Sequence, residues 1–261
     1  MDSTDISLVL CSCDNYSDGW YPFCYQLKKN WPEFNYTIYL NTESKSFHYD
    51  GLNIISPFSQ KEKIFEEWSD RLLQLLEQIP NKFIILMLED FWLTEKVNNQ
   101  KITSIMDIMK NNESIGFICL RREQDENSHT CPYELLRESD INKKFRITTQ
   151  AGMWRKSYLM KILRKHESAW YFETRATFRS KYCKEKVYDV KENILNYPVG
   201  GFFWGGKCLS DYINLYPEEI TKPCIEKRGI INRNEIRKYP GIKKGLAYYK
   251  SIIKSLLPKF H

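Results

Sequence analysis

The clearest pattern along the chain is Phe83-Ile84-Ile85-Leu86-Met87-Leu88, six apolar residues in a row that stop at two carboxylates, Glu89 and Asp90. A continuous apolar run, unlike an alternating one, predicts a strand covered on both faces. Segments 6–11 (ISLVLC) and 36–40 (YTIYL) read as two further strands, with 52–55 a short one. Between them, helical spacing predicts a helix over 20–30, carrying Phe23, Tyr25 and Leu27. Another spans 61–78 through Ile64, Trp68, Leu72 and Leu75, and Pro80 stops it. Strands alternating with helices through residue 120 predict an α/β fold with a mostly parallel, Rossmann-like central sheet flanked by helices.

After the acids the pattern gives a helix over 102–110, a strand over 115–120, and a polar stretch over 121–144 with little periodicity, read as a mobile or an acceptor-side loop. Segments 146–149 and 152–154 look like further strand, 157–165 like helix, 200–207 like a glycine-rich aromatic turn, and 208–216 like helix again.

With 261 residues, 42% hydrophobic and 15% aromatic, the chain can bury one substantial core. The expected organisation is a catalytic domain over 1–224, with a nucleotide-binding half (1–120) and an acceptor half (121–224), followed by a tail over 225–261. The net charge of +6 hints at nucleic acid until it is located. The tail holds ten of the Lys and Arg against two acids, so the body is slightly acidic. In that tail Ile242, Leu246, Tyr249, Ile253 and Leu256 recur at helical spacing, flanked by Lys243, Lys244, Lys250, Lys254 and Lys259. This reads either as a basic amphipathic helix contacting an anionic membrane or as a terminal helix packed on the core.

The acidic start and the absence of a run of roughly 18 apolar residues predict a cytoplasmic protein, peripheral on the inner membrane face if the tail binds lipid. The eight cysteines sit mostly in apolar segments and none is spaced CxxC, while the four histidines form no metal-binding pair, which argues against structural zinc.

Acids at the carboxyl end of a buried strand lie where open α/β sheets place ligands. Adjacent carboxylates repel and resist desolvation unless a cation sits between them, so Glu89 and Asp90 are candidates to hold Mn²⁺ or Mg²⁺ carrying a diphosphate. The plain alternative is a solvated strand end. The first strand ends in Ser12-Cys13-Asp14-Asn15-Tyr16, from which Ser12, Asp14 and Tyr16 could face a nucleotide. No GxGxxG or P-loop occurs, so side chains and a metal would have to do the holding.

This combination resembles the GT-A class of nucleotide-sugar glycosyltransferases, in particular the small bacterial enzymes of polysaccharide and lipopolysaccharide gene clusters. The resemblance rests on LCSCDNYSDGWYPF (10–23), WSDRL (68–72), LMLEDFWL (86–93), QAGMWRK (150–156) and ESAWYFE (167–173). It implies sugar transfer from a nucleotide-diphosphate sugar to a saccharide or lipid-linked acceptor, with Glu89 and Asp90 in place of the family's DxD motif. Here the chain departs from the pattern, because Glu-Asp is not Asp-x-Asp. Either Asp90 binds metal while Glu89 serves the ribose or the metal, or the reaction needs no metal.

Further candidates follow from residue chemistry. Arg71 lies off the apolar stripe of its helix and suits a phosphate or base, or else plain solvation. An inverting transferase needs a base for the acceptor hydroxyl, and Glu173, beside the aromatic cluster of Trp170, is the candidate, with Glu167 and Asp14 behind it. Glu173 and Asp90 are thus the catalytic expectations; the alternative for Glu173 is an acid on an amphipathic segment. Lys207, after Gly205-Gly206, could offset leaving-group charge, or the segment is a structural turn. Gln150, Trp154 and Trp170 are assigned to the acceptor side, with core packing the rival for Trp154. A metal-dependent phosphohydrolase and a nucleic-acid-binding module are the competing classes; the acidic body and the missing RNP-type motif count against the second.

Overall fold

The computed structural model describes residues 5–59, 67–121 and 131–238. Its main sheet has eight strands: β1 (Ile6–Cys11), β2 (Thr37–Asn41), β3 (Ile54–Ile55), β4 (Phe83–Leu88), β5 (Ile115–Cys119), β6 (Leu136–Glu138), β7 (Gly152–Arg155) and β8 (Lys186–Val190). They lie in the order β3-β2-β1-β4-β7-β5-β8-β6, and β7 and β6 run against the rest. The fold is therefore α/β and Rossmann-like, with a mostly parallel central sheet.

Alternation along each strand explains why the runs are apolar throughout. Leu8, Leu10, Ile85 and Met87 face α1 (Trp20–Asn30) and α3 (Asn99–Asn111). Val9, Cys11, Ile84 and Leu86 face α2 (Trp68–Gln78), α4 (Lys156–Ile162) and α5 (Ala169–Ser180). With helices on both faces, neither set of positions meets water.

A second sheet of three short strands, β9 (Phe203–Trp204), β10 (Lys207–Leu209) and β11 (Ile230–Ile231), is followed within its sequence span by α6 (Ser210–Ile213) and α7 (Glu218–Arg228). Ile220 and Cys224 of α7 pack into the same core as β1 and α1. The boundary drawn at 224 falls inside α7, and the main sheet runs across the division at 120 because β7 inserts between β4 and β5.

Several expectations change. Segment 146–149 is not a strand: the Ile147 backbone N–H donates to Thr177 Oγ1, and that hydroxyl donates back to the Ile147 carbonyl, so α5 side chains replace a ladder. The helix expected over 208–216 begins as strand, since Cys208 pairs with Phe203 across a hairpin. Gly205 and Gly206 turn that hairpin with φ of +55° and +82°, the left-handed geometry two-residue hairpins favour. The described part of 61–78 is helical from Trp68; residues 61–66 and the tail from 239 lie outside the described residues. Among the described residues no helix is long and apolar enough to cross a membrane.

Candidate functional site

Strands β1, β2 and β4 end level with one another, Cys11 lying beside both Asn41 and Leu88. Ser12 extends the ladder by one bond, its N–H donating to the Asn41 carbonyl at 3.0 Å, and the chain then turns through a 3-10 helix, Asp14–Gly19. The Asp14 carboxylate gathers the hydroxyls of Thr42 (2.8 Å) and Ser44 (2.6 Å) and the N–H groups of Ser44 and Lys45. Burial pushes its carboxyl up, but these donors outweigh it and hold Asp14 at about 2.

Next to it, Glu43 accepts from the Asp14 N–H and from Arg71 Nη1, both at 2.5 Å, while Arg71 Nη2 donates to the Ser12 carbonyl at 2.7 Å. Arg71 is buried, not solvated. It therefore ties α2 to the ends of β1 and β2.

Glu89 and Asp90 follow β4 directly. Asp90 is 8% exposed; burial pushes its carboxyl up to about 7, against the pull of the Phe203 N–H and of Arg228. Glu89 is raised well above the usual carboxylate range by burial and then by the charge on Asp90, with a hydrogen bond to Ser12 opposing. Asp90 Oδ2 accepts from the Phe203 N–H at 3.2 Å, and its carbonyl accepts from Phe202 N–H at 2.9 Å. The loop reaches this close because Gly201, at φ +90°, has no Cβ; one would overlap the Asp90 carboxylate.

The wall beside these acids is aromatic. Tyr16 and Phe203 lie 5.6 Å apart, and the Arg228 guanidinium sits 4.1 Å and 4.6 Å from their ring centroids. Tyr16 thus stands where a nucleotide contact is expected. Lys207 is exposed at the start of β10, so the cation packed on this wall is Arg228 and not Lys207.

At the residues expected to take the acceptor, Gly152 of β7 lies opposite Leu86, which brings the residues just before it to the level of the acids. Gln150 Oε1 accepts from the Tyr197 hydroxyl at 3.0 Å, and the Tyr197 ring stacks on Phe91, 4.2 Å away, directly after Asp90. Glu173 projects from α5 to the same turn, where Oε1 accepts from Thr148 Oγ1 (2.9 Å), Thr149 N–H (2.7 Å) and Thr149 Oγ1 (2.9 Å). Trp170, one turn earlier on α5, is 61% exposed and lies near Phe145. Glu167 is not a free acid: it is buried and grips Arg179 through both oxygens at 2.8 and 2.7 Å.

Trp154 requires a correction. It is fully buried, stacked 3.8 Å from Phe117 against the α4 and α5 face, because β7 lies inside the sheet and is covered on both faces. No acceptor can reach it.

Sequence reading missed Glu43, Phe203, Tyr197 and Arg228. The stretch Glu218–Arg228 has acids in its first turn, bases in its last and Gly229 after it, a legible helix signal. Its partner Asp18 lies 210 residues away, which no local pattern shows.

Glu89 and Asp90 are the residues able to share a divalent cation. Among the described residues no group of three or more His, Cys, Asp or Glu gathers to hold a metal alone. Two desolvated carboxylates still fit Mg²⁺ or Mn²⁺, which such sites commonly hold through one or two acids plus the phosphates of a substrate.

No protein-family model matches the sequence, and no curated protein matches it. Among solved structures the chain is similar to S. aureus TarS 1–349, at 10% identity and a TM-score of 0.52, covering 85% of this chain and 65% of that one. It is also similar to S. aureus TarS 1–349 in complex with UDP (11% identity, TM-score 0.48, 74% and 59% covered). A cytidylyltransferase from Leptospira borgpetersenii matches at 10% identity and TM-score 0.42, over 87% of this chain and 97% of that one. This chain thus spans just under two thirds of TarS 1–349, and what it shares with it is the fold.

Proposed function

We propose that the protein is a glycosyltransferase of the GT-A type, moving a sugar from a nucleotide-diphosphate sugar to a saccharide or lipid-linked acceptor in cell-surface polysaccharide biosynthesis. The observation that carries this reading is the desolvated pair Glu89–Asp90 at the carboxyl end of β4, facing polar ends of β1 and β2. Asp90 is buried and both carboxyls are pushed up, so a divalent cation carrying a diphosphate would take the place of protons that this corner favours. The fold shared with TarS 1–349 supports the same reading.

In this reading Asp90, and Glu89 with it, holds Mn²⁺ or Mg²⁺, which when bound would neutralise the diphosphate leaving group. Ser12 and Tyr16 line the nucleotide end, with Asp14, Glu43 and Arg71 as the scaffold behind them. Gln150 and Trp170 flank the acceptor. Glu173 is the base for the acceptor hydroxyl: the three bonds that orient it all fall on Oε1, which leaves Oε2 to take the proton.

The test is a thermal-shift panel of UDP-, GDP-, dTDP- and CMP-sugars with and without Mn²⁺. A donor at a hundredfold its Kd stabilises by about 2.7 kcal/mol. At least one donor is expected to raise the melting temperature in a Mn²⁺-dependent way, and Asp90→Asn to abolish that dependence. A flat panel overturns the donor site; a shift indifferent to Mn²⁺ and to chelator overturns the metal.

A further inference from the structure

The residue at the acid corner with no part in the function above is Arg228, the last residue of α7. We propose that Arg228 is the fixed positive charge of the donor site, placed to bind the diphosphate of the nucleotide beside Glu89 and Asp90; this rests on the donor reading. Its side chain is only 5% exposed and stacks on Tyr16 and Phe203, and the Phe203 N–H is the one that grips Asp90 Oδ2. The guanidinium and the acid therefore share one wall.

The charge at this corner does not cancel. Arg228 clamps Asp18 through Nε–Oδ2 and Nη2–Oδ1, both 2.6 Å, and Lys227 Nζ reaches the same Asp18 Oδ1 at 2.6 Å. Two cations share the one carboxylate of Asp18, so this cluster by itself carries an excess positive charge beside Glu89 and Asp90. If Arg228 only pinned α7 to the Asp14–Gly19 turn, Lys227 and Asp18 would suffice. A diphosphate entering here brings further negative charge to a place already holding two carboxylates, and a buried, preorganised cation offsets it at no cost of reorganisation.

The hydrogen bonds point the same way. Nη2 is taken by the Asn15 carbonyl at 2.7 Å and by Asp18, whereas Nη1 makes one long bond, 3.4 Å, to the Gly206 carbonyl. A bond of that length is weak. Nη1 is the donor that a phosphate oxygen can take over.

Calorimetric titration with UDP, GDP, dTDP and CDP in Mn²⁺, each against its own nucleoside, tests this. For the diphosphate that binds, Arg228→Met is expected to lose about tenfold or more in affinity while the nucleoside stays within about twofold. Arg228→Lys, which keeps the charge, is expected to recover part of the loss, and Lys222→Met, exposed on the same helix, to lose none. Arg228→Gln serves as the neutral variant if the methionine variant does not fold. Equal loss of diphosphate and nucleoside means that Arg228 is only a pin, and diphosphate binding within about twofold of wild type removes it from the site; either result overturns the proposal. A wild-type protein that binds none of the four overturns the donor reading itself, and this one with it.

Discussion

Two acid-bearing corners of the molecule, one before α5 and one after β4, differ in how their charge is met. At the α5 corner, Glu167 is buried yet carries a bidentate bond to Arg179 and a second cation, Arg175, at 3.5 Å. At the β4 corner, the adjacent Glu89 and Asp90 meet neutral donors, the Phe203 N–H on Asp90 and Ser12 on Glu89, with Arg228 beyond Phe203. A buried acid matched by cations serves the fold, because removing either partner strands a charge. A buried acid without a paired cation has its carboxyl pushed up, which favours a cation that arrives from outside. Glu173 lies between these cases: it is satisfied by neutral donors on one oxygen only.

The largest effect that could break this comparison belongs to Glu173. As acceptor base, Glu173→Gln is expected to lower kcat about 100-fold or more while donor binding stays unchanged. The glutamine Oε1 can keep the threonine bonds, so folding should change little. Near-normal turnover in this variant would reduce Glu173 to an anchor for the 148–149 turn, like Glu167 a structural acid. For Glu167 the outcome reverses: Glu167→Gln is expected to cost about 3 kcal/mol of stability in urea unfolding, since it leaves Arg175 and Arg179 without their carboxylate. The folded fraction should bind donor as well as wild type. A loss under about 1 kcal/mol would mean that the ion pair holds little of the fold.

How legible all this was in the sequence follows the same division. The strands of the first half were readable because β1 and β4 are covered on both faces, so β4 is apolar at every position and β1 at all but Ser7, which bonds Asn81. The acid corner was readable with them, as the point where such a run stops. The second half is held by contacts that cross the chain: Thr177 satisfies the Ile147 backbone, Arg179 meets Glu167, and Arg228 meets Asp18. There β8, α5 and α7 went unread, and a strand was expected over 146–149. Trp154 misled for a related reason: within β7 its neighbour Met153 is equally buried, and a four-residue strand gives no alternation to say which side is water.

The smallest expected effect sharpens the contrast most cleanly, since it needs no ligand. Asp90 is raised to about 7 by burial, from an ordinary carboxylate value near 3.8 in the unfolded chain. The fold thus prefers the protonated form, so this contribution to stability is fully present below about pH 4 and is lost as pH rises through about 7. Groups facing Asp90 are Glu89 beside it, Arg228 from α7, and the phenols Tyr16, Tyr197 and Tyr216, whose own shifts are upward and so lie beyond this window. Asp14, depressed to about 2, acts with the opposite sign and only in acid, its contribution vanishing as pH falls below the ordinary carboxylate value. Between pH 5.5 and 8 the two are separated. The protein without nucleotide or divalent cation is therefore expected to melt a few degrees higher at pH 5.5 than at pH 8, about 2–4 °C for each kcal/mol involved. Asp90→Asn, which removes one of the two titrating acids and relieves Glu89 of its neighbour's charge, should reduce that slope and raise the melting temperature at pH 8. Parallel melting curves for the two proteins would show that the β4 corner stores no such preference, and the distinction from the Glu167 corner would then rest on geometry alone.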